Sequence, residues 1–277
     1  MTEKQIFKTV LEERQQIGRS VMFWKNKVVF LTGASSGIGK ALALEIAKRG
    51  AVVGLLARRE ELLREIVGKI EQNGGTARYF ACDITDENAV ADAAKNLQKE
   101  FGRIDVLIAN AGIGGNNEAA RELNAAAVTK VINTNLIGAV NAVSAVLPDM
   151  LEQKSGQLVA ISSLAGFRGL PKSAAYCASK AGMTAFFESV RLDAQDKGID
   201  VTIIQPGFIK TPLTAGREAK MPFLMELEDS IPHFLGAIEN KKKFAAFPWQ
   251  LAAFVRAGRI FPAWLYDAIA GRAKYRA

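Results

Sequence analysis

Tyr176 and Lys180 are the residues of this chain best suited to moving a proton. They lie four positions apart in a segment, 174–193, whose pattern predicts a long helix, and this spacing places both side chains on one helical face. A free phenol has a pKa of about 10, and a neighbouring ammonium lowers that pKa because it favours the phenolate. Tyr176 is therefore a candidate general acid and base. The spacing alone is common on helices by chance, so the pair needs support from the rest of the chain.

That support begins with a glycine-rich turn, Thr-Gly-Ala-Ser-Ser-Gly-Ile-Gly, at 32–39. It follows a short apolar run, 27–31, that predicts a buried strand, and precedes 40–49, which predicts a helix. This arrangement suits a dinucleotide pyrophosphate, because glycines let the backbone approach phosphates and a helix start carries free N–H groups. The alternative is a tight turn without a ligand. The turn residues predicted to contact a cofactor are Gly33, Ser35, Ser36, Gly37, Ile38 and Gly39.

Two arginines follow the second predicted strand, 51–56, where a cofactor without a 2′-phosphate is usually met by an acidic residue. Arg58 and Arg59 suit a 2′-phosphate and offer nothing to a bare ribose diol. The chain is therefore predicted to use NADP(H) in preference to NAD(H). The alternative is that both arginines are surface charges at the start of the helix predicted over 60–70.

The same alternation of strands and helices continues along the chain. Further strands are predicted at 77–83, 104–108, 158–163 and 200–204, with a helix at 87–101 between the first two. This order predicts an α/β fold, a doubly wound parallel sheet of the Rossmann type. Ligands of such sheets bind beyond the carboxyl ends of the strands. The residues that collect there include Asp83, Asn110, Ala111, Gly112, Ser163, Pro206 and Gly207.

Taken together, these segments resemble the short-chain dehydrogenase/reductases over 25–247. The matching motifs are Thr-Gly-Ala-Ser-Ser-Gly-Ile-Gly (32–39), Asp83, Asn-Ala-Gly (110–112), Asn-Thr-Asn-Leu-Ile-Gly (133–138), Ser162 with Ser163, Tyr-Cys-Ala-Ser-Lys (176–180) and Pro-Gly-Phe-Ile-Lys-Thr (206–211). They stand in the order and at the spacings of the family. Hydride transfer between a nicotinamide and a carbonyl or alcohol carbon is the activity that the resemblance implies.

The resemblance also implies roles for individual residues. The catalytic tetrad would be Asn135, Ser163, Tyr176 and Lys180. Lys180 would hold the nicotinamide ribose, and Asn135 would anchor a water that links Lys180 to solvent. The further implied cofactor contacts are Asp83 with the adenine, Asn110 beside the cofactor, and Ile209 and Thr211 with the carboxamide. Family members are commonly dimers or tetramers, so a homo-oligomer is expected.

Composition agrees with one large domain. The chain has 277 residues, of which 49% are hydrophobic, enough for a single α/β core. We predict a domain over 25–247 with helical extensions at 1–24 and 248–277. The two cysteines, Cys82 and Cys177, lie within predicted elements, and no metal site is predicted. No uninterrupted 18-residue apolar run and no signal-peptide core is found, so a cytoplasmic location is expected.

The extensions carry their own patterns. At the start, an apolar stripe from Ile6 to Val21 predicts a helix that packs on this domain or on a partner subunit. At the end, residues 241–277 combine eight Lys or Arg and eight aromatics with one acid, Asp267. Within it, 251–260 predicts a short amphipathic helix. Basic residues mixed with tryptophan suit peripheral contact with an anionic membrane; a lid or an oligomer contact is the alternative. No nucleic-acid motif accompanies the charge.

The substrate is the least determined part. The segment 212–225 is rich in Leu, Met and Phe, which suggests a cover over an apolar, lipid-like carbonyl or alcohol substrate. Leu164 and Phe167 could extend that wall, although all these side chains could equally serve only to pack the cover. Two other functions stay open: a non-catalytic NADP-binding scaffold that recruits a partner or membrane, and a nucleotide-sugar epimerase or dehydratase. The second usually carries Gly-x-x-Gly-x-x-Gly, which this chain lacks.

Overall fold

The structure is a computed structural model that describes residues 18, 20–115, 123–216 and 221–271. Its strands are β1 (Val28–Thr32), β2 (Val52–Ala57), β3 (Thr76–Ala81), β4 (Val106–Ala109), β5 (Gly156–Ile161), β6 (Ile199–Pro206) and β7 (Phe244–Phe247). They form one parallel sheet in the order β3-β2-β1-β4-β5-β6-β7. The chain winds outward from β1 to β3 and then returns to β4, so the sheet has a crevice between the carboxyl ends of β1 and β4.

Helices connect the strands and cover both faces of the sheet. They are α1 (Gly37–Lys48), α2 (Glu60–Gln72), α3 (Glu87–Phe101), α4 (Ala125–Ile132), α5 (Gly138–Gln153), α6 (Ala174–Ala194), α7 (Leu227–Glu239), α8 (Trp249–Ile260) and α9 (Ala263–Ala270). A π-helical turn, Asn133–Ile137, joins α4 to α5, and short 3₁₀ turns follow β5 and α6. The predicted α/β doubly wound fold is confirmed.

The central strands are apolar at consecutive positions because both of their faces are covered. In β1, Val29 and Leu31 pack with α1 and α7 on one face. Val28 and Phe30 pack with α3 and α5 on the other face. The sheet is thus fixed between two layers, and its carboxyl-end loops are held at defined positions.

Two strands end earlier than predicted, at their carboxyl ends, where the site lies. β5 ends at Ile161 and β3 at Ala81, so Ser163 and Asp83 lie two residues beyond their strands. Ser163 Oγ accepts a hydrogen bond from the Ala165 N–H at 3.1 Å. Asp83 Oδ1 accepts one from the Thr85 N–H at 3.0 Å. Short polar side chains of this kind replace the strand ladder with local bonds, which turns the chain out of the sheet.

Smaller corrections concern the other bounds. The predicted helix over 40–49 begins earlier, at Gly37, and the predicted strand over 104–108 is Val106–Ala109. The elements α4, α5, α7 and β7 were not predicted. The β7 sequence, Phe-Ala-Ala-Phe, is short and lacks β-branched residues, so its strand depends on pairing with β6 rather than on local preference.

Residues 125–153 form a continuous helical run that is long and apolar enough to cross a membrane by length and composition. The sequence prediction considered only uninterrupted apolar runs, so it did not identify this helical run. The run packs Ala142, Val146 and Met150 into the core against the sheet. It also buries Asn135 and Asn141, each with hydrogen-bond partners, which is the pattern of a core helix.

The N-terminal stripe predicted from Ile6 lies almost entirely outside the described residues. Val21, the described residue at the end of the stripe, is exposed, whereas Trp24, three residues beyond it, is fully buried. Trp24 Nε1 donates to Glu239 Oε1 at 2.7 Å, which ties the segment before β1 to the end of α7.

Candidate active site

A cavity of about 680 Å³ opens at the carboxyl ends of the strands. Nearly all of the predicted site residues line it. They are Gly33, Ser35, Ser36, Gly37, Ile38, Arg58, Arg59, Asp83, Asn110, Ala111, Gly112, Ser163, Tyr176, Lys180, Pro206, Gly207, Ile209 and Thr211. Gly39 and Asn135 lie behind the wall rather than in it. One cavity therefore contains both the glycine turn and the Tyr176–Lys180 pair.

The glycine turn is built for a close backbone approach. Gly33 has φ of 67°, and a Cβ added there would lie 2.6 Å from the Ala111 Cα. A Cβ on Gly39 would collide with the Gly33 carbonyl oxygen and lie 2.6 Å from Asn110 Nδ2. The N-cap of α1, Ser36, is extended and makes no side-chain capping bond. The first residues of α1, Gly37 and Ile38, line the cavity, and their end of the helix has no side-chain cap, which fits a dinucleotide pyrophosphate.

Asn110 braces this turn against the end of β4. Its Nδ2 donates to the Thr32 carbonyl at 3.0 Å and to the Gly33 carbonyl at 3.2 Å. The N–H groups of Asn110 and Ala111 both donate to Thr32 Oγ1 at 3.1 Å. Because β1 and β4 flank the crevice, this network fixes the two sides of the cofactor cradle relative to each other.

Arg59 crosses from the end of β2 to the glycine turn. Its guanidinium donates to Ser35 Oγ at 2.9 Å and to Ser36 Oγ at 2.7 Å. Arg58 lies beside it, with Nη1 3.5 Å from Asp83 Oδ2 and a side chain that is 59% exposed. Two guanidinium groups and two hydroxyls thus converge at one end of the cavity, a donor set that matches a phosphate.

Asp83 is held as a carboxylate. The N–H of Thr85 is the main cause that places the pKa of Asp83 below its usual range, and the Thr85 hydroxyl and Arg58 act in the same direction, while partial burial opposes them. Nearby, burial raises the pKa of the Cys82 thiol to about 11. Cys82 therefore stays protonated near neutral pH and is an inert wall residue.

Lys180 is buried beneath the cavity floor, with 4% of its surface exposed. Its Nζ donates to the Ile161 carbonyl at 2.8 Å. Burial lowers the pKa of Lys180 from 10.5 to about 8. Tyr176, one turn earlier on α6, is half-buried and lines the same cavity. Both side chains of the pair therefore reach the cavity, and burial makes the Lys180 amine easier to deprotonate than an exposed lysine.

Asn135 lies in the π-helical turn and is fully buried. Its Oδ1 accepts from the Ile113 N–H at 2.8 Å, while its Nδ2 donates to the Ile113 carbonyl at 3.0 Å and to Ser179 Oγ at 3.0 Å. Ser179 in turn donates to the Tyr176 carbonyl at 2.8 Å. The side chain thus joins the loop after β4 to the first turn of α6. The water-anchoring role implied for Asn135 stays a prediction.

The C-terminal helices supply the outer wall, in line with the lid that was the alternative for this extension, although the sequence did not identify the residues involved. Leu251, Phe254 and Val255 from α8, together with Phe261 and Ile269, line the cavity. Leu251 fits directly over Gly207, where an added Cβ would lie 2.8 Å from Leu251 Cδ2. The buried positions of α8 are 251, 252 and 258, with the half-buried Val255 between them, a helical spacing that marks one face as packed. That spacing was the available signal.

One arginine fastens these helices to the loop after β5. Arg168 Nη1 donates to the carbonyls of Gly258 and Phe261. Its guanidinium carbon lies 3.9 Å from the centroid of the Tyr266 ring, and the Tyr266 hydroxyl donates to the Gly169 carbonyl. The C-terminal helices are thus an anchored cover over the cavity.

The segment 212–225 contributes to the same cover in part. Leu213, Met221 and Pro222 line the cavity. Phe223 does not, and 54% of its surface is exposed. Met225 returns to the body, where its backbone pairs with Phe208. Of the two other residues expected to extend the apolar wall, Leu164 lines the cavity. Phe167 packs behind it.

The fold and this constellation define a class of protein. The short chain dehydrogenase family model matches residues 27–222, and the chain belongs to that family. The resemblance inferred from the motifs is confirmed. The protein is therefore an oxidoreductase of the short-chain dehydrogenase/reductase family, whose members bind a nicotinamide cofactor.

Three known proteins show how similar this chain is to other members of the family. An uncharacterized oxidoreductase of Myxococcus xanthus is 43% identical over 246 residues, which cover 89% of this chain and 97% of the relative. A 3beta-hydroxysteroid dehydrogenase of Mediterraneibacter gnavus is 36% identical and covers 68% of each chain. The crystal structure of a metagenomic short-chain oxidoreductase in complex with NADP superposes with a TM-score of 0.69 at 30% identity, over 81% of this chain and 96% of that one.

Proposed function

We propose that this protein is an NADP(H)-dependent oxidoreductase that interconverts the carbonyl and secondary alcohol forms of an apolar compound. One observation carries the proposal: Tyr176 and Lys180 open into the same cavity as the glycine turn and its two arginines. A phenol and a buried amine beside a dinucleotide cradle are the parts that this chemistry needs.

Tyr176 is proposed as the general acid and base. The Lys180 amine, with a pKa of about 8, is partly protonated near neutral pH, and its positive charge favours the phenolate of Tyr176. When bound, the nicotinamide donates or accepts the hydride. Tyr176 then gives its proton to the substrate oxygen in reduction and takes it back in oxidation. Ser163, which lines the same cavity, would donate a hydrogen bond from its hydroxyl to that oxygen.

NADP(H) is the proposed cofactor. Arg58 and Arg59 stand at the end of β2, and the hydroxyls of Ser35 and Ser36 lie within hydrogen-bond reach of Arg59. A 2′-phosphate would replace hydroxyl–guanidinium bonds with stronger charge-assisted ones. The carboxylate of Asp83 is occupied by Thr85 and Arg58, so it is a poor acceptor for a ribose diol at this position. The relative that was solved with NADP gives this assignment further support.

An apolar substrate is proposed from the walls of the cavity. Beyond the tetrad, the lining is supplied by Leu164, Leu213, Met221, Leu251, Phe254, Val255, Phe261 and Ile269. Such a surface binds hydrocarbon, and the few polar groups near Tyr176 fix the orientation of one oxygen. The 3beta-hydroxysteroid dehydrogenase among the relatives is named for a substrate of this character.

The decisive experiment is a panel of carbonyl compounds, comprising steroids, retinal, long-chain acyl compounds and keto-sphingoid compounds, assayed by loss of NADPH absorbance. Tyr176→Phe should lower kcat by a factor of about 10² to 10⁴, the usual contribution of a positioned acid, while leaving the Kd for NADPH nearly unchanged. Tyr79→Phe removes a phenol from the surface of β3 and is the matched control. If Tyr176→Phe turned over the best substrate at the wild-type rate, the assignment of the acid would be wrong. Tight NADPH binding without turnover of any compound would favour the non-catalytic scaffold.

A further inference from the structure

Helix α8 carries large apolar side chains on two opposite sides, although Arg256 also lies on the outer one. Its inner side, Leu251, Ala252, Val255 and Gly258, packs on the cavity and the core. Its outer side follows the spacing 249, 253, 256 and 260, which also falls on one helical face. On that outer side Trp249 is 73% exposed and Ile260 is 83% exposed. An exposed helix of a soluble domain normally turns charged side chains outward.

Helix α9 continues the exposed apolar surface. Trp264 is 72% exposed, and neither it nor Trp249 lines the cavity. We call the surface formed by Trp249, Arg256, Arg259, Ile260 and Trp264 the outer face. Tryptophan is the side chain most typical of the boundary between membrane and water, because its ring is apolar and its N–H is polar.

The charge of this region has the sign that an anionic surface attracts. Arg256 and Arg259 are both exposed on α8, against one acid, Asp267, on α9. The Arg256 guanidinium also lies about 6 Å from the rings of Phe167 and Phe244, so Arg259 is the α8 charge that is tested below. The sequence after α9 adds Arg272, Lys274 and Arg276. The lysines at 241–243 do not belong to the outer face, because they precede β7 and Lys241 pairs with Asp200.

The outer face borders the cavity. Phe254 lines the cavity and is 59% exposed, and Ile269 lines it and is 39% exposed. Phe254 and Ile269 thus place exposed apolar side chains at the rim of the cavity. A compound dissolved in a bilayer would meet these two side chains where it enters.

From these observations we propose that the outer face of α8 and α9 docks on an anionic lipid membrane. The part of this inference that concerns substrate delivery rests on the proposed function: the compound reduced or oxidised would be lipid-soluble and would enter past Phe254 and Ile269. The docking itself depends only on the surface.

The test uses the full chain and vesicles of phosphatidylcholine with and without phosphatidylglycerol, with no cofactor or substrate. We expect sedimentation with the anionic vesicles that weakens as salt is raised. Tryptophan emission should shift to the blue, since Trp249 and Trp264 leave water, whereas Trp24 is already buried. The Trp249→Phe/Trp264→Phe double variant should still bind but lose the spectral shift.

Matched variants distinguish binding through the outer face from nonspecific adsorption of the protein to vesicles. Trp249→Ser/Trp264→Ser should weaken binding by more than about tenfold, because two large apolar side chains no longer insert. Arg259→Gln should weaken it about fivefold, the contribution of one basic residue near an anionic surface. Met22→Ser removes a side chain that is 80% exposed at the other end of the chain, and Lys69→Gln removes a charge on α2, beside the opposite sheet edge. Both controls should bind like the wild type.

The inference is overturned if the wild type does not bind anionic vesicles or if the Trp249→Ser/Trp264→Ser variant binds them as well as the wild type. It is equally overturned if either control variant loses as much vesicle binding as that double variant. It is also overturned if that double variant turns a dimer in solution into a monomer without changing vesicle binding, since the face would then join two copies. Turnover of the carbonyl panel described above, measured without vesicles, keeps the two proposals apart. Turnover without vesicle binding rejects docking alone, and vesicle binding without turnover rejects the enzyme assignment alone.

Discussion

The Arg168 guanidinium carbon lies 3.9 Å from the centroid of the Tyr266 ring. The same arginine donates to two carbonyls at the end of α8, those of Gly258 and Phe261. One side chain thus couples the loop that follows β5, which begins at Ser163, to both C-terminal helices. The cover over the cavity is held at a point close to the residues that are proposed to act on the substrate.

Replacing Arg168 with leucine should loosen this cover. The substitution leaves two carbonyls without their charged donor, and each such bond contributes about 1.5–3 kcal/mol. We expect faster cleavage within 249–271 in limited proteolysis and a several-fold rise in KM for a bulky apolar substrate. Tyr266→Phe retains the ring and loses only the hydroxyl bond to Gly169, so its effect should be smaller. Equal proteolysis of wild type and Arg168→Leu would show that the cover is held by other contacts.

Removing either arginine at the end of β2 should change the choice of cofactor. A guanidinium–phosphate bond contributes about 1.5–3 kcal/mol, so Arg58→Ala and Arg59→Ala should each raise the KM for NADPH by about 10-fold to 100-fold. The KM for NADH should hardly change, because NADH carries no phosphate at that position.

The control is Arg64→Ala, an arginine of α2 that pairs with Glu60 and does not line the cavity. It should leave both KM values as they are. A wild type that prefers NADH, or Arg58→Ala and Arg59→Ala variants that retain the wild-type preference for NADPH, would contradict the assignment. The two arginines would then be surface charges at the start of α2.

The parts of this site that could be predicted from sequence are those set by local rules. β1 is identified by its apolar run, and α1 by its helical pattern. The Gly33–Gly39 turn between them is identified by glycines that leave no room for side chains. Parallel strands bring their carboxyl ends to one edge, so the approach of Asp83, Asn110 and Ser163 to one cavity also follows. The strand ends were wrong by two residues because the side chains of Ser163 and Asp83 compete with the ladder.

The outer wall could not be derived in this way. Arg168 meets Gly258 across 90 positions of sequence, and nothing in the neighbourhood of either residue marks the contact. Likewise β7 is a strand because β6 pairs with it, although its own sequence has little strand preference. Contacts set by tertiary packing alone leave only a weak trace, here the helical spacing of buried residues in α8.

Asn135 is expected to be a positioning residue with a large effect on stability. Its amide bonds both polar groups of Ile113 and the Ser179 hydroxyl in a fully buried place. Asn135→Ala would remove the side-chain partner of both Ile113 backbone groups, while the Ser179 hydroxyl would keep its bond to the Tyr176 carbonyl. The variant should lower the free energy of unfolding by at least about 2 kcal/mol, measured in urea. Ser179→Ala removes one of the three contacts and should cost less. A variant Asn135→Ala as stable as the wild type would show that the loop after β4 is fixed without it.

Lys180 should make the folded protein less stable at neutral pH than an apolar residue would. In the unfolded chain the lysine holds its proton up to pH 10.5, whereas in the folded protein it loses the proton at about pH 8. Between these values the unfolded state binds more protons, so stability rises with pH. Burial of the charged amine lowers the free energy of unfolding by about 3 kcal/mol. This destabilisation is fully present below about pH 8 and is removed as the pH approaches 10.5.

Lys180→Met should therefore abolish turnover and change the pH dependence of unfolding. Methionine has no proton to lose, although it leaves the Ile161 carbonyl without its donor, which costs about 1–3 kcal/mol at every pH. The difference in free energy of unfolding, variant minus wild type, should stay constant below pH 8 and fall by up to about 3 kcal/mol between pH 8 and 10.5. Urea unfolding without cofactor at several pH values measures it. A flat difference for Lys180→Met would mean that the buried amine keeps its proton and that its pKa is not lowered.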